Sequence, residues 1–152
     1  MLTLLNEPSF IRNIGDRGVR TIADAQLYIT AGPLASYERF GFGLYMVELK
    51  PSCAPIGICG LVKRDALPDI DIGFAFLPRF WSMGYAFESA SAVRDQAREE
   101  VGLRRLVAIV DPVNDGSIRV LEKLGFTFER MVRLGEEEKD LKLFGCDLSR
   151  AS

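Results

Sequence analysis

Apolar residues first recur along this chain at helical spacing. Ile22, Ala25 and Ile29 do so across residues 20–31, with Thr21 standing where an N-cap would. Gly32-Pro33 interrupts or kinks that helix, because proline has no N–H to donate and clashes with the preceding turn. A second helical stretch over 34–40 ends at Gly41. The period then changes. Residues 43–50, 56–63 and 70–77 are apolar runs of strand length, separated by turns over 51–55 and 65–69. Connections this short predict an antiparallel meander.

Beyond Pro78 the helical period returns. Ala86, Ala90, Val93, Ala97 and Val101 mark one apolar face, closed by Gly102. Residues 106–110 read as a buried strand, 111–116 as a turn and 117–124 as a short helix stopped by Gly125. Two last strands over 126–134 and 141–148 flank a charged connector. The expected order is helix, three strands, helix, strand, helix, two strands. That is a mixed α/β (α+β) sheet, with a parallel crossover wherever a helix links two strands. No repeat or linker tract divides residues 1–152, so a single domain is expected.

Composition narrows the chemistry. Apolar residues make up 48%, enough for a full core, and the net charge of -2 gives no general attraction to nucleic acid or an anionic membrane. There is no apolar run long enough to span a bilayer, and the N-terminus is too short and too acidic for a signal peptide. A cytoplasmic location is expected. Cys53, Cys59 and Cys146 fit no zinc spacing and read as buried, reduced thiols. Histidine is absent, which excludes Ser-His-Asp and Cys-His centres and any histidine-ligated metal. Proton transfer must then use a carboxylate, tyrosine, hydroxyl, lysine or water.

The chemistry concentrates in two stretches. Residues 69–90 read DIDIGFAFLPRFWSMGYAFESA: a strand ends, a turn containing Gly84 follows, and a helix begins. Unpaired N–H groups at a helix start, helped by the helix dipole, suit a phosphate; a simply capped turn has the same pattern. Residues 111–126 read DPVNDGSIRVLEKLGF, with Asn114 just beyond a buried strand. Asn114 can be a plain N-cap and Ser117 an ordinary first-turn hydroxyl.

Together the stretches resemble the GNAT acetyltransferases, most of all the branch that acetylates the N-terminal amines of ribosomal proteins. In that branch an IGFAFLP-like strand precedes an FWGKGYA-like turn and a glutamate, here residues 72–78, 80–86 and Glu88. A Pro-x-Asn-x-x-Ser turn then leads to Leu-Glu-Lys-Leu-Gly-Phe, here Pro112, Asn114, Ser117 and 121–126. The resemblance spans roughly residues 20–148 and implies a single GNAT domain that uses acetyl-CoA as acetyl donor and no metal. Phe74, Ala75, Phe76 and Leu77 would offer backbone groups to the pantetheine arm, as to an added strand. Trp81, Ser82, Met83, Gly84, Tyr85 and Ala86 would form the pyrophosphate turn. Asn114 would hold the pantetheine, and Ser117 would lie near the acetyl sulfur.

This sequence departs from the family in places. Trp81 stands where many relatives carry Gln or Arg, Ser82 where glycine is usual, and Met83 where a basic residue is usual. Leu121 occupies the place of a tyrosine thought to protonate the leaving thiolate. The family's first strand has no counterpart, which implies a truncated chain or a sheet one strand short; an open edge would favour a homodimer or aggregation. The implied acceptor is a small-molecule amine or a protein N-terminus, with no nucleic acid or membrane partner. Asp71 is the first candidate to take the amine proton and Asp69 the second; either can also be a solvated strand-end carboxylate. The competing function is a weak or inactive CoA-binding sensor or regulatory domain.

Overall fold

A computed structural model describes residues 1–134 and 139–149. Six strands form one sheet in the order β1-β2-β3-β4-β6-β5. These are β1 (Leu44–Glu48), β2 (Pro55–Val62), β3 (Asp71–Phe76), β4 (Arg105–Val110), β5 (Thr127–Val132) and β6 (Leu141–Asp147). The first three make the expected antiparallel meander. Helix α5 (Tyr85–Gln96) then carries the chain across to β4, which runs parallel to β3. Helix α6 (Asp115–Lys123) makes a second crossover, but β6 inserts antiparallel between β4 and β5. The direction expected for that crossover therefore holds, while the two linked strands are not neighbours.

The sheet buries both faces. Against one lie α5 and α6, whose Ala90, Val93 and Leu121, with Ala97 just past the end of α5, pack with Leu61, Ile72, Leu106 and Phe144. The opposite face carries four short helices: α1 (Leu2–Leu5), α2 (Pro8–Asn13), α3 (Ile22–Ile29) and α4 (Ala35–Phe40). Leu4, Leu5, Phe10, Val19 and Ala25 pack there against Ile58. Helices α1 and α2 had no reading from the sequence; at four and six residues they are too short to show a period.

Helix α3 starts as expected. Thr21 and Asp24 form a capping box, each side chain accepting from the other residue's backbone N–H. The apolar period over-read its burial, however: Ile22 is 71% exposed, and Ala25 is the buried member. Pro33 kinks the chain through a π-helical turn, Thr30–Leu34, and does not end it. The expectation of three buried thiols also needs correcting, since Cys59 and Cys146 are buried but Cys53 is exposed in the β1–β2 turn. No helix among the described residues is long and apolar enough to cross a membrane.

Among the described residues β1 is an edge strand and no strand precedes it. The edge is partly guarded. The Tyr37 hydroxyl donates to the Leu44 carbonyl, and the Tyr37 ring stacks on Tyr45 with centroids 5.2 Å apart. One carbonyl of the open edge is thus already taken by a side chain from α4.

Candidate active site

The sheet is split at its centre. Strands β3 and β4 share the single register pair Asp71↔Val107, supported by Val107 N–H donating to Ile70 O at 3.1 Å. Past that point they diverge. Leu77 N–H donates to Ile56 O at 2.9 Å, so the antiparallel alternation directs the peptide groups of Ala75 and Gly73 toward β2. The peptide groups of Phe74 and Phe76 face the gap instead. Of the four residues read as offering backbone to an added strand, only these two alternate ones point the right way. Ala75 and Leu77 turn their peptide groups toward β2 instead. The Phe76 carbonyl is itself occupied, accepting from the Trp81 indole N–H at 2.8 Å.

The turn after β3 is shaped by two left-handed residues, Ser82 (φ 60°) and Gly84 (φ 84°). A β-carbon at Gly84 would meet nothing within 4 Å, so the glycine is required by backbone angle and not by crowding. Helix α5 begins directly afterwards, and its first internal bond is Glu88 N–H to Gly84 O at 3.0 Å. No side chain caps it, which leaves the amides of Tyr85, Ala86 and Phe87 without a partner among the described residues. A chain of free amides at the positive end of a twelve-residue helix is the donor set a pyrophosphate requires.

A cavity of about 830 Å³ opens on the face carrying the four short helices and runs into the split. Asp71, Phe74, Ala75, Asn114 and Ser117 all line it, whereas Phe76, Leu77 and the turn 81–86 do not. Met83, Gly84 and Tyr85 border a separate shallow groove with Phe87 and Glu88. The fold therefore gathers the residues read as lying near the sulfur and the amine, and keeps the turn outside that chamber.

Asp71 is 1% exposed. Its Oδ1 accepts from Arg64 Nε at 3.0 Å, and its Oδ2 is a buried oxygen with no hydrogen-bond partner among the described residues. Burial pushes its carboxyl above the ordinary range, and the attraction of Arg64 only partly offsets this. It is not the solvated strand-end carboxylate that competed with the functional reading. Asp69 does fit that description: it is partly exposed, pairs with Arg105 at 3.1 Å, and does not line the cavity. Cys59 is pushed up to about 12 by burial, which leaves its thiol inert.

Asn114 is the N-cap of α6, its Oδ1 accepting from Ser117 N–H at 3.3 Å. Capping uses only that oxygen; the Asn114 amide N–H groups and the Ser117 hydroxyl have no partner among the described residues. Leu121 is 1% exposed within the core, so the wall carries no acid at that position.

Sequence reasoning missed Arg64, although the register Val62↔Asp71 places a residue just past Val62 beside that aspartate. It also missed Asp111, which is buried, accepts from Val113 N–H at 3.0 Å and pairs with Lys139. Burial works against the Asp111 charge, but Lys139 and the Val113 amide outweigh it and hold the carboxyl below its usual range. Lys139 also donates to Arg12 O at 3.1 Å, joining the end of β4 to α2.

A family model described as an acetyltransferase (GNAT) domain matches residues 1–127. This chain belongs to the GNAT acetyltransferase family. Among curated relatives, the uncharacterised YkkB of Bacillus subtilis is 34% identical over 96 residues, 62% of this chain and 56% of the relative. The chain thus spans little more than half the length of that relative. The crystal structure of an acetyltransferase from Agrobacterium tumefaciens superposes with a TM-score of 0.78 at 26% identity, covering 95% of this chain and 81% of that one. RimL, a ribosomal alpha-N-protein acetyltransferase in complex with coenzyme A, superposes with a TM-score of 0.82 at 16% identity, covering 97% and 85%. At that identity the likeness to RimL is one of fold. It supports the mixed, mostly antiparallel sheet flanked by helices that the GNAT resemblance implied.

Proposed function

We propose that this GNAT protein transfers the acetyl group of acetyl-CoA to a primary amine, on a small molecule or at a protein N-terminus, by direct attack. The observation that carries the reading is the split between β3 and β4. It presents the Phe74 peptide to a gap lined also by Ser117, with a free hydroxyl, and by Asp71, whose Oδ2 is buried without a hydrogen-bond partner among the described residues. The amides that open α5 suit the pyrophosphate, and the free amide N–H of Asn114 suits the pantetheine. Acetyl-CoA supplies the thioester carbonyl and the thiolate leaving group.

Each residue then has a separate task. The Phe74 N–H, facing the gap, polarises the carbonyl oxygen. Asp71 takes the proton that the attacking amine must lose; its raised proton affinity brings it nearer the range a general base needs. The new N–C bond forms as the C–S bond breaks, and Ser117 donates a hydrogen bond to the departing sulfur. Leu121 leaves no tyrosine for that role. The cavity walls exclude water and hold amine and thioester in line.

The test is acetyl-CoA binding followed by turnover. A 100-fold excess over the dissociation constant should add about 2.7 kcal/mol of stability, read as a rise of several degrees in Tm. Free thiol release over a panel of N-terminal peptides, polyamines, amino acids and aminoglycosides should then identify the acceptor. No rise in Tm at millimolar acetyl-CoA would sink the reading. A rise with no thiol release on any amine would leave the CoA-binding sensor.

A further inference from the structure

Trp81 is the only tryptophan in the chain, and it is 47% exposed, with its N–H spent on the protein's own backbone. Its indole Nε1–H donates at 2.8 Å to the Phe76 carbonyl, the last gap-facing carbonyl of β3. No strand pairs with that carbonyl, because β3 and β4 have already parted at Asp71↔Val107. Trp81 itself follows a tight 3-10 turn, Pro78–Phe80, with its own N–H on Pro78 O at 3.1 Å. The next residue is the left-handed Ser82, where the run of turn and helix amides begins. One hydrogen bond therefore ties the entry of the turn to the exit of the split strand.

From this geometry we infer that Trp81 is a positioning residue, a latch that fixes the distance between the turn amides and the Phe74 peptide. The inference rests on the coenzyme-binding reading above and deepens it, because the indole N–H is held by the protein's own backbone and acts through the spacing of the site. A rigid spacing matters for a ligand with two ends. When one end is bound, a fixed frame holds the second site at a high effective concentration; a loose frame forfeits that gain without harming either site alone. The latch also removes the Phe76 carbonyl from competition, so that a strand-like ligand in the gap meets the Phe74 peptide and the Phe76 N–H alone.

The experiment compares Trp81→Phe, which keeps an aromatic ring and loses the N–H, with Trp81→Gln, which restores a planar N–H donor. Coenzyme A, ADP and pantetheine are titrated by calorimetry against wild type and both variants. Trp81→Phe should weaken coenzyme A about tenfold, the scale of a lost intramolecular advantage, while ADP and pantetheine stay within about twofold. Trp81→Gln should recover most of the coenzyme A affinity. In turnover, Trp81→Phe should raise the KM for acetyl-CoA and leave kcat nearly unchanged.

Unchanged coenzyme A affinity in Trp81→Phe would overturn the latch. So would an equal loss for ADP, which would mean that the indole acts on the phosphate end alone, and so would failure of Trp81→Gln to recover. Melting of the ligand-free proteins separates this inference from the functional reading. Loss of one backbone-capping hydrogen bond should lower the Tm of Trp81→Phe by about 2–4 °C, and Trp81→Gln should restore it, whether or not wild type binds coenzyme A. Absence of coenzyme A binding to wild type with that Tm order intact would sink the function and keep the latch; equal Tm values for all three would sink the latch.

Discussion

The two ends of the cleft are made of different material. Around the start of α5 the useful groups are backbone amides, set by the angles of Ser82 and Gly84 and by the uncapped helix. Around the cavity the useful groups are side chains from distant segments: Asp71 on β3 held by Arg64, Asn114 and Ser117 at the start of α6, and Asp111 held by Lys139. A backbone-built site depends on a few φ values and tolerates many side chains. A side-chain-built site depends on each group, and one deletion can remove a chemical step. The comparison fixes where substitutions should hurt and which measurement should register it.

The largest effect is expected at the side-chain end. One hydrogen bond to a developing anion is worth about 2–4 kcal/mol, so Ser117→Ala should lower kcat by about 30- to 1000-fold. Acetyl-CoA affinity should barely change, because the Ser117 contact to Asn114 is made by its backbone N–H, which alanine keeps. Full turnover in this variant would remove Ser117 from the chemistry.

Asp71→Asn should also suppress turnover at neutral pH, with partial recovery at high pH where more of the amine is already neutral. It should change stability as well. Burial holds the folded-state pKa of Asp71 above 3.8, so the folded protein binds this proton more tightly than the unfolded chain does. That contribution to stability is complete below 3.8 and is lost as pH rises through the raised value. Asparagine cannot titrate, so the variant should lose less stability than wild type as pH rises from about 4 toward neutrality. Parallel stability curves in urea melts across that range would show that Arg64 fully neutralises the burial penalty.

At the backbone end, Gly84→Val tests angle and access together. The open space around Gly84 means that the folding cost is strain from φ 84°, about 1–2 kcal/mol for an L-residue in the left-handed region. Acetyl-CoA affinity should fall further than this, by more than about tenfold, because the phosphates need close backbone approach. Equal affinity in calorimetry would show that the phosphates bind elsewhere.

The same contrast explains what was legible in the sequence. Strand and helix order, the N-cap at Thr21 and the turn around Gly84 follow from local pattern, and the structure has them within a residue or two. Asn114 as an N-cap was legible for the same reason. The coupling of Asp71 to Arg64 was within reach through the hairpin register, but the closure of Asp111 by Lys139 spans the last connector and has no local signature. The exposure of Ile22 escaped because period alone does not say which side of a short helix finds a partner. The first two helices escaped because their burial is set by the sheet face beneath them, chiefly Ile58, and not by their own spacing.

The smallest expected effect bears most directly on whether the turn is a backbone device. Ser82 sits at φ 60° without a side-chain hydrogen bond among the described residues, at a place where the resemblance leads one to expect glycine. Holding an L-residue there costs about 1–2 kcal/mol. Glycine removes that strain but leaves an unfolded chain with more freedom to lose, an opposing cost of about 0.4–1 kcal/mol. The balance favours Ser82→Gly by about 0.5–1 kcal/mol, which for a chain of this size is a Tm rise of about 1–4 °C. Because the amides keep their directions, acetyl-CoA affinity should stay within about twofold, and kcat should not move. A rise in Tm with unchanged affinity would mean that the serine side chain is incidental and the backbone angle is what the site uses. A fall in Tm, or loss of affinity without loss of stability, would show that the hydroxyl itself supports the turn or meets the ligand; the contrast between a backbone-built end and a side-chain-built end would then fail at its first residue.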